Sequence, residues 1–463
     1  MHYSFKTNLV KTLSDTFTPV GLFLKLRDRF PHSFLLESSE YNTKENSFSY
    51  LCFDPIATFK ATTEKVTQEF PNGDKLETPV KGENIASLLH EFSQQFKTER
   101  HDLGFVTSGL FGYTSYNAIP LFEDINFRHR DFDLPLIHYH FFRFIIVFNH
   151  FKNELFIVEQ QAPNEPSKMK EIEHFITNRS VPTFPFATVG QEKSNFSDDE
   201  FLEKIKIGKK HCFLGDVFQV VFARKFRQKF KGDEFNVYRA LRSINPSPYL
   251  FYFDYGSFKL FGSSPEAQLT IHNHKATINP IAGTFKRTGN VAEDNALAEE
   301  LSNDPKENAE HVMLVDLARN DLSVLSKNVA VQSFKKVEFY SHVIHLVSKV
   351  TAQLEKNVNP IEVLGHTYPA GTLSGAPKYK AMELIDKHEP ESRGFYGGVV
   401  GIIGLDGSFN HAIFIRSFLS RNNTLHYQAG CGIVSKSEEQ SELQEVANKL
   451  VALRKAIALA GEI

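Results

Sequence analysis

Three features of this 463-residue sequence predict an α+β fold, with large antiparallel β-sheets packed as a sandwich and surrounded by helices. Runs of aromatic and β-branched residues dominate the first third and read as strands. Helical and strand-like patterns then mix without the strict alternation that builds a parallel sheet. The chain closes on one long amphipathic helix. At about 150 residues per domain, the length predicts two or three domains or one composite unit.

The elements follow in order. Residues 1–160 form a first, strand-rich region, in which 141–148 (FFRFIIVF) is a strand, Lys152-Asn153 a turn and 155–158 (LFIV) the returning strand. In 161–194, Pro163, Pro166, Pro182 and Pro185 bracket one short helical piece, which reads as a linker. The second region, 195–463, begins with a helix over 198–214 that Gly215 closes, followed by a strand over 216–223 (DVFQVVFA). In DPKENAEHVML, Asp304 is an N-cap and Pro305 suits the first helical position, where its missing N–H has no partner to lose. The last helix runs from about 438 to 459, with Leu443, Val446, Ala447, Leu450, Leu453 and Ile457 as its apolar stripe.

Composition narrows the function classes. A net charge of −3 without a long Lys/Arg run argues against nucleic acid or an anionic membrane surface as partner. The apolar segment 20–24 is too short for a signal sequence and meets Lys25 and Arg27. No apolar stretch approaches the roughly 18 residues of a membrane span. Cys52, Cys212 and Cys431 are odd in number and far apart, so they predict neither a disulfide framework nor a zinc site. A cytoplasmic protein is expected. The chain holds 44 Phe and 15 Tyr but no Trp.

Two E-x-x-E pairs carry the chemistry that residue spacing can reach. Glu307, Glu310 and Leu314 share one helical face. Such a pair in a first turn ordinarily only favours the positive end of the helix dipole. Glu442, Glu445 and Lys449 repeat the spacing along the border of the last helix's stripe. If the two faces meet, four carboxylates share one pocket and repel unless a divalent cation compensates. An all-oxygen donor set suits Mg²⁺.

Several motifs then point to a family. PIAGT (280–284), DPKENAEHVMLVDLARND (304–321), YPAGTLSGAPK (368–378), IRS (415–417), QAGCGIV (428–434) and SELQEVANK (441–449) resemble those of the chorismate-binding enzymes in order and spacing. The first 160 residues resemble the companion region of the anthranilate synthase component I branch, so the resemblance spans nearly the whole chain.

The resemblance implies the chorismate-binding enzyme fold and a set of roles. Mg²⁺ on the ring carboxylate of chorismate would be held by Glu310 and Glu445, supported by Glu307 and Glu442. Arg416, at the end of the apolar strand 411–415, would clasp the enolpyruvyl carboxylate, with Gly283, Thr284, Tyr396, Gly430, Cys431 and Gly432 around the substrate. Glu266 matches the general acid for the departing 4-hydroxyl, His345 the histidine that completes pyruvate loss, and Thr372 and Lys449 their neighbours. Gln219 stands where isochorismate-forming relatives carry a water-activating lysine, and Ala282 where many aminodeoxychorismate synthases carry a nucleophilic lysine. Neither an amide nor a methyl group performs those tasks, which favours direct ammonia addition and anthranilate as product, the first step of tryptophan biosynthesis. Some aminodeoxychorismate synthases lack the lysine, so component I of that enzyme stays as the alternative, and a non-catalytic sensor on the same scaffold as a distant third. LLES (35–38) and NPSPYLF (245–251) resemble the tryptophan feedback pocket, with Glu37, Ser38, Pro248, Tyr249 and Leu250 as its residues. Each segment alone is an ordinary strand end or turn. No residues remain for a glutaminase, so ammonia is expected from a separate amidotransferase subunit in a hetero-oligomer. The absence of Trp fits either the residue usage of one genome or an enzyme that is needed when tryptophan is scarce and so gains by containing none.

Overall fold

The computed structural model describes residues 2–38, 47–101, 103–129, 132–177, 181–340 and 343–463, with Thr284 described by its backbone alone. Two long strands, Phe48–Ala61 and Ile137–Asn149, pair antiparallel and form the stem from which two ladders extend. One ladder runs from Phe48–Ala61 through Phe34–Glu37, Tyr249–Asp254, Phe258–Ser264, Ser417–Arg421 and Thr424–Ile433 to Gln219–Gly232. The other runs from Ile137–Asn149 through Gly109–Thr114, Val399–Gly404, Phe409–Ile413, Ala267–His272 and Lys275–Ile278 to Val343–Gln353. The antiparallel α+β architecture expected from the sequence is therefore present. Strands from the first region sit inside both ladders, so 1–160 and 195–463 share their sheets. The segment 161–194 carries a helix, Met169–Thr177, and a strand, Phe186–Ser194, that pairs along Gln219–Gly232.

Phenylalanine pairs pack along the sheets. Phe34 stacks on Phe253 with ring centroids 4.1 Å apart, and Phe96 on Phe141 at 4.7 Å. All four are buried, as core aromatics at such separations should be.

The two ladders are joined by a fork. Phe258–Ser264 and Ala267–His272 follow each other in the chain yet lie in different ladders, and so do Phe409–Ile413 and Ser417–Arg421. These strands are one another's partners, 258–264 with 417–421 and 267–272 with 409–413. The two short crossings, around Glu266 and around Arg416, must therefore lie side by side. The Ile413 N–H donates to the Glu266 carbonyl at 3.0 Å, and the Ser263 N–H to the Arg416 carbonyl at 3.1 Å. Arg416 thus does not cap a strand 411–415, since the strand ends at Ile413. It occupies the crossing itself with φ 50°, a left-handed conformation that costs a non-glycine residue of the order of 1 kcal/mol.

The helices follow local chemistry closely. Asp198–Leu214 opens with a Ser197/Glu200 capping box and stops at Gly215 with φ 81°. Pro305–Ser323 is capped by Asp304, whose carboxylate accepts the Glu307 N–H at 2.9 Å, and it packs on Ile281–Lys286 and Val343–Gln353. Its far end is tied down by Lys378, which donates to Asp321 at 2.7 Å and to the Thr367 carbonyl at 3.0 Å. Glu439–Leu459 buries Val446, Leu450, Leu453 and Ile457 against Thr424–Ile433 and its neighbouring helices. The strand expected over 216–223 begins at Gln219 and continues to Gly232. No helix among the described residues is long and apolar enough to cross a membrane.

Candidate active site

The fork brings an acid and a cation together. Burial pushes the Glu266 carboxyl from 4.5 up to about 7, against the opposing pulls of the Thr372 hydroxyl, Lys449 and Arg416. Thr372 donates to Glu266 Oε1 at 3.0 Å, which fixes one oxygen and leaves the other to present a proton. Arg416 donates to Asn245 Oδ1 at 3.3 Å, and burial lowers its pKa while Glu266 works the other way. A void of about 40 Å³ adjoins Glu266 and Thr372, roofed by Leu314 and Leu317 of the Asp304-capped helix. That is room for a water or two.

The two glutamate-bearing helix faces do meet. Burial comes first among the forces that raise Glu310 to about 7, Lys306 opposes it, and the carboxylates of Glu307, Glu442 and Glu445 add to it. Glu307 and Glu442 are also raised, by burial first and then in part by Glu445. Glu442 is buried, and its Oε2 has no hydrogen-bond partner among the described residues. Such an oxygen is costly without a counter-charge. Cations already stand at the edge: Lys449 Nζ lies 2.6 Å from Glu445 Oε1, and Lys306 Nζ 4.0 Å from Glu310 Oε1. Among the described residues, no three acidic, imidazole or thiol groups stand at coordination spacing around one point.

The wall between these groups is made of small residues for a steric reason. A Cβ at Gly432 would meet Gln219 Nε2 at 2.2 Å, and one at Gly430 the Phe222 carbonyl at 2.6 Å. Gln219 is buried, with Oε1 lacking a partner among the described residues. Lys449 Nζ donates to the Gly430 carbonyl at 2.9 Å. Burial would lower its pKa, but Glu445 and Tyr396 outweigh that and raise it, so Lys449 is an ammonium. Cys431 is buried, and burial raises its thiol, so it is an inert wall residue.

His345 is placed by Ile281–Lys286, its strand partner. Its Nδ1 lies 3.1 Å from the Gly283 carbonyl, which only accepts, so Nδ1 carries the proton and Nε2 is the basic nitrogen. Burial lowers its pKa first, and Arg416 lowers it further, while the Gly283 bond opposes both. Gly283 has φ 76°, and a Cβ there would meet Glu307 Oε2 at 3.2 Å. The side-chain contact expected of Thr284 lies outside the described residues. His311, beside Glu310, is a structural residue: its Nε2 is 2.6 Å from Ser348 Oγ in a fully buried position.

Sequence reasoning missed a buried ion pair behind this wall. Arg393 and Glu389 are joined at 2.5 Å and both buried. Arg393 also donates to the Leu373 and Val221 carbonyls at 2.6 and 2.7 Å, and its guanidinium lies 5.8 Å from the Tyr396 ring centroid. Glu389 accepts the Ala223 N–H at 2.9 Å. The pair therefore anchors the residue after Thr372, the strand of Gln219 and the ring of Tyr396. Glu389–Arg393 reads in sequence as an ordinary i, i+4 surface pair, and only its proximity to the GFYGG motif hinted otherwise.

A second cavity, of about 260 Å³, opens between the ladders and is lined by Glu37, Ser38, Pro248, Tyr249 and Leu250 among others. All five residues expected of an effector pocket thus line one space. Glu37 is held from behind by the Tyr238 hydroxyl at 2.6 Å and Arg242 Nε at 2.9 Å.

Comparison with known proteins places the chain in a family. The chorismate binding enzyme family matches residues 32–455. Anthranilate synthase component 1 of Aquifex aeolicus is 36% identical over 474 residues, spanning 97% of this chain and 94% of that protein. The protein of the same name from Neisseria gonorrhoeae is 36% identical over 469 residues, with 97% and 94% covered. The crystal structure of anthranilate synthase component I from Streptococcus pneumoniae superposes with a TM-score of 0.77 at 30% identity, covering 96% of this chain and 99% of that one. The menaquinone-specific isochorismate synthase from Escherichia coli shares the fold, with a TM-score of 0.72 at 19% identity over 98% and 95% of the two chains. Sequence and fold agree, and the chain belongs to the chorismate binding enzyme family, alongside its anthranilate synthase component 1 members.

Proposed function

We propose that this chain converts chorismate and ammonia to anthranilate, pyruvate and water, the ammonia coming from glutamine through a separate amidotransferase subunit. The observation that carries the reading is a pair of chemistries: a carboxyl held protonated near neutral pH at Glu266 on the fork, and an amide, Gln219, against Gly432 on the glycine wall. The site has an acid to expel a hydroxyl, and Gln219 supplies no base to activate water. Ammonia needs none.

The residues act in sequence. Arg416 binds the enolpyruvyl carboxylate through its guanidinium fork. Glu266 gives its proton to the 4-hydroxyl as that group leaves as water, while ammonia forms a bond to C2. His345 Nε2 then takes the C2 proton as the enolpyruvyl C–O bond breaks, releasing pyruvate and an aromatic ring. Lys449, charged and tied to Gly430, fixes the glycine wall beside Gln219. The four glutamates fit a hard divalent cation, because they repel one another and leave Glu442 Oε2 without a donor. Mg²⁺ bound by Glu310 and Glu445, with Glu307 and Glu442 in support, would supply Lewis-acid withdrawal from the ring carboxylate.

The reading extends to feedback. L-tryptophan would occupy the 260 Å³ cavity, its indole against Pro248, Tyr249 and Leu250 and its polar end near Ser38. Asn245, three residues before Pro248, binds Arg416 directly, which gives that cavity a route to the fork.

The test is a mass-resolved product assay with chorismate, Mg²⁺ and ammonium, with and without L-tryptophan. Anthranilate is the expected product. Accumulation of 4-amino-4-deoxychorismate instead would assign the chain to the para-aminating reaction.

A further inference from the structure

Phe213, Leu214 and Phe218 are 84%, 62% and 72% exposed within one six-residue turn. A single exposed hydrophobic residue is ordinary, but here three cluster around Gly215, where the Asp198–Leu214 helix turns into the Gln219–Gly232 strand. The patch adjoins the site. Phe218 points to solvent while the next residue, Gln219, is buried against Gly432. The Phe218 N–H is held by the Ala376 carbonyl at 2.7 Å, so the turn is fixed to the fold and presents its aromatic rings on a rigid base.

The rim is basic. Lys209 and Lys210 lie about one turn before the end of the preceding helix, and Lys380 and Lys387 of the helix Lys378–His388 stand close enough to act on Asp216, inside the turn. Asp216 is itself taken by His211 at 2.7 Å. Lys209 is paired with Glu439 at 2.7 Å and Lys380 with Glu383 at 3.0 Å, so the unpaired charge of the rim, among the described residues, is that of Lys210 and Lys387.

We infer that this turn is the docking face for the ammonia-supplying subunit, a protein that presents an apolar patch with an acidic rim. The inference rests on the ammonia-dependent reading above. Two observations choose the occupant. A second copy of this chain would set one lysine rim against another, a like-charge contact that opposes closure. A partner seated here would cover Phe218, whose chain neighbour Gln219 is buried against the glycine wall, so ammonia would be released beside the strand that carries that wall's amide. Exposed aromatic anchors ringed by charge are the usual form of an interaction hot spot.

The experiment uses the full chain and the separately purified glutamine amidotransferase subunit of the same organism. F213S and the double variant F213S/F218S are compared with K210E/K387E and the unaltered protein. Turnover is read with glutamine and with ammonium, and association by sedimentation. Expected is a loss of about tenfold or more in glutamine-supported turnover and a weaker complex, with ammonium-supported turnover within about twofold. K210E/K387E should weaken the complex most at low salt. Unchanged association in all variants overturns the assignment. So does equal loss of both turnovers, which would make the patch part of the catalytic fold, or conversion of a dimer of this chain to monomer by F213S, which would seat a second copy there. If the unaltered protein makes no anthranilate with ammonium, the functional reading fails while sedimentation still decides the surface.

Discussion

Replacing Glu266 with Gln separates its catalytic use from its cost to the fold. A part-buried carboxyl raised from 4.5 to about 7 binds its proton more tightly in the folded chain than in the unfolded one. Between those values the folded state holds more protons, so stability falls as pH rises, and above about 7 the full penalty is present. At about 1.4 kcal/mol per tenfold change, the penalty is about 3 kcal/mol. Gln keeps the volume and still accepts the Thr372 hydroxyl, but never ionises. E266Q should therefore be about 3 kcal/mol more stable than the parent at pH 8, with the advantage vanishing below pH 4.5. The assay is urea unfolding followed by circular dichroism at several pH values, without Mg²⁺ or substrate. Other groups that titrate in this range, Glu310 among them, cancel in the difference. Turnover should drop by about 10²-fold or more, because the proton for the leaving hydroxyl is gone. A stability difference that does not change with pH, or a variant with undiminished turnover, refutes the assignment of Glu266 as a part-buried general acid.

Three further outcomes follow from the geometry. E310Q and E445Q should each lower kcat/KM by about 10²-fold with saturating Mg²⁺, and the parent's apparent Mg²⁺ affinity should tighten as pH rises through about 7, where Glu310 gives up its proton. Because the chain has no Trp, the emission of added L-tryptophan reports its own burial directly, and a blue shift is expected that S38F, by filling the cavity, abolishes while leaving turnover intact. R393M should cost about 3–5 kcal/mol by stranding the Glu389 charge, and E389Q added to it should recover part of that loss in thermal unfolding.

Local rules made the helices legible. Asp198–Leu214 with its Gly215 stop, the Asp304–Pro305 start and the closing helix all follow from caps, proline and periodicity, which act within a few residues. The two E-x-x-E faces were visible for the same reason, but their meeting was not, since it depends on how two helices some 130 residues apart pack on the sheets. The ladder order is likewise non-local: Phe34–Glu37 pairs with Tyr249–Asp254 across more than 200 residues. Nothing in the sequence near 416 announces a left-handed arginine, and an apolar run followed by Arg reads as a strand end. Glu266 and His345 came from motif resemblance, because neither a lone carboxyl nor a lone histidine carries a signal of its burial. The Arg393–Glu389 bolt escaped because charge spacing is the same on a surface helix and in a core.

The fork has one further consequence. Acid and guanidinium are mounted on two adjacent stretches of chain that leave one ladder for the other, so their separation works as a caliper on the angle between the sheets. Asn410 and Ala412, on the wall of the larger cavity, belong to the strand that ends three residues before Arg416. On the proposed reading, a guest that wedges the ladders apart by a small pivot would shift the proton donor and the carboxylate clamp against each other, so delivery and grip would fail together.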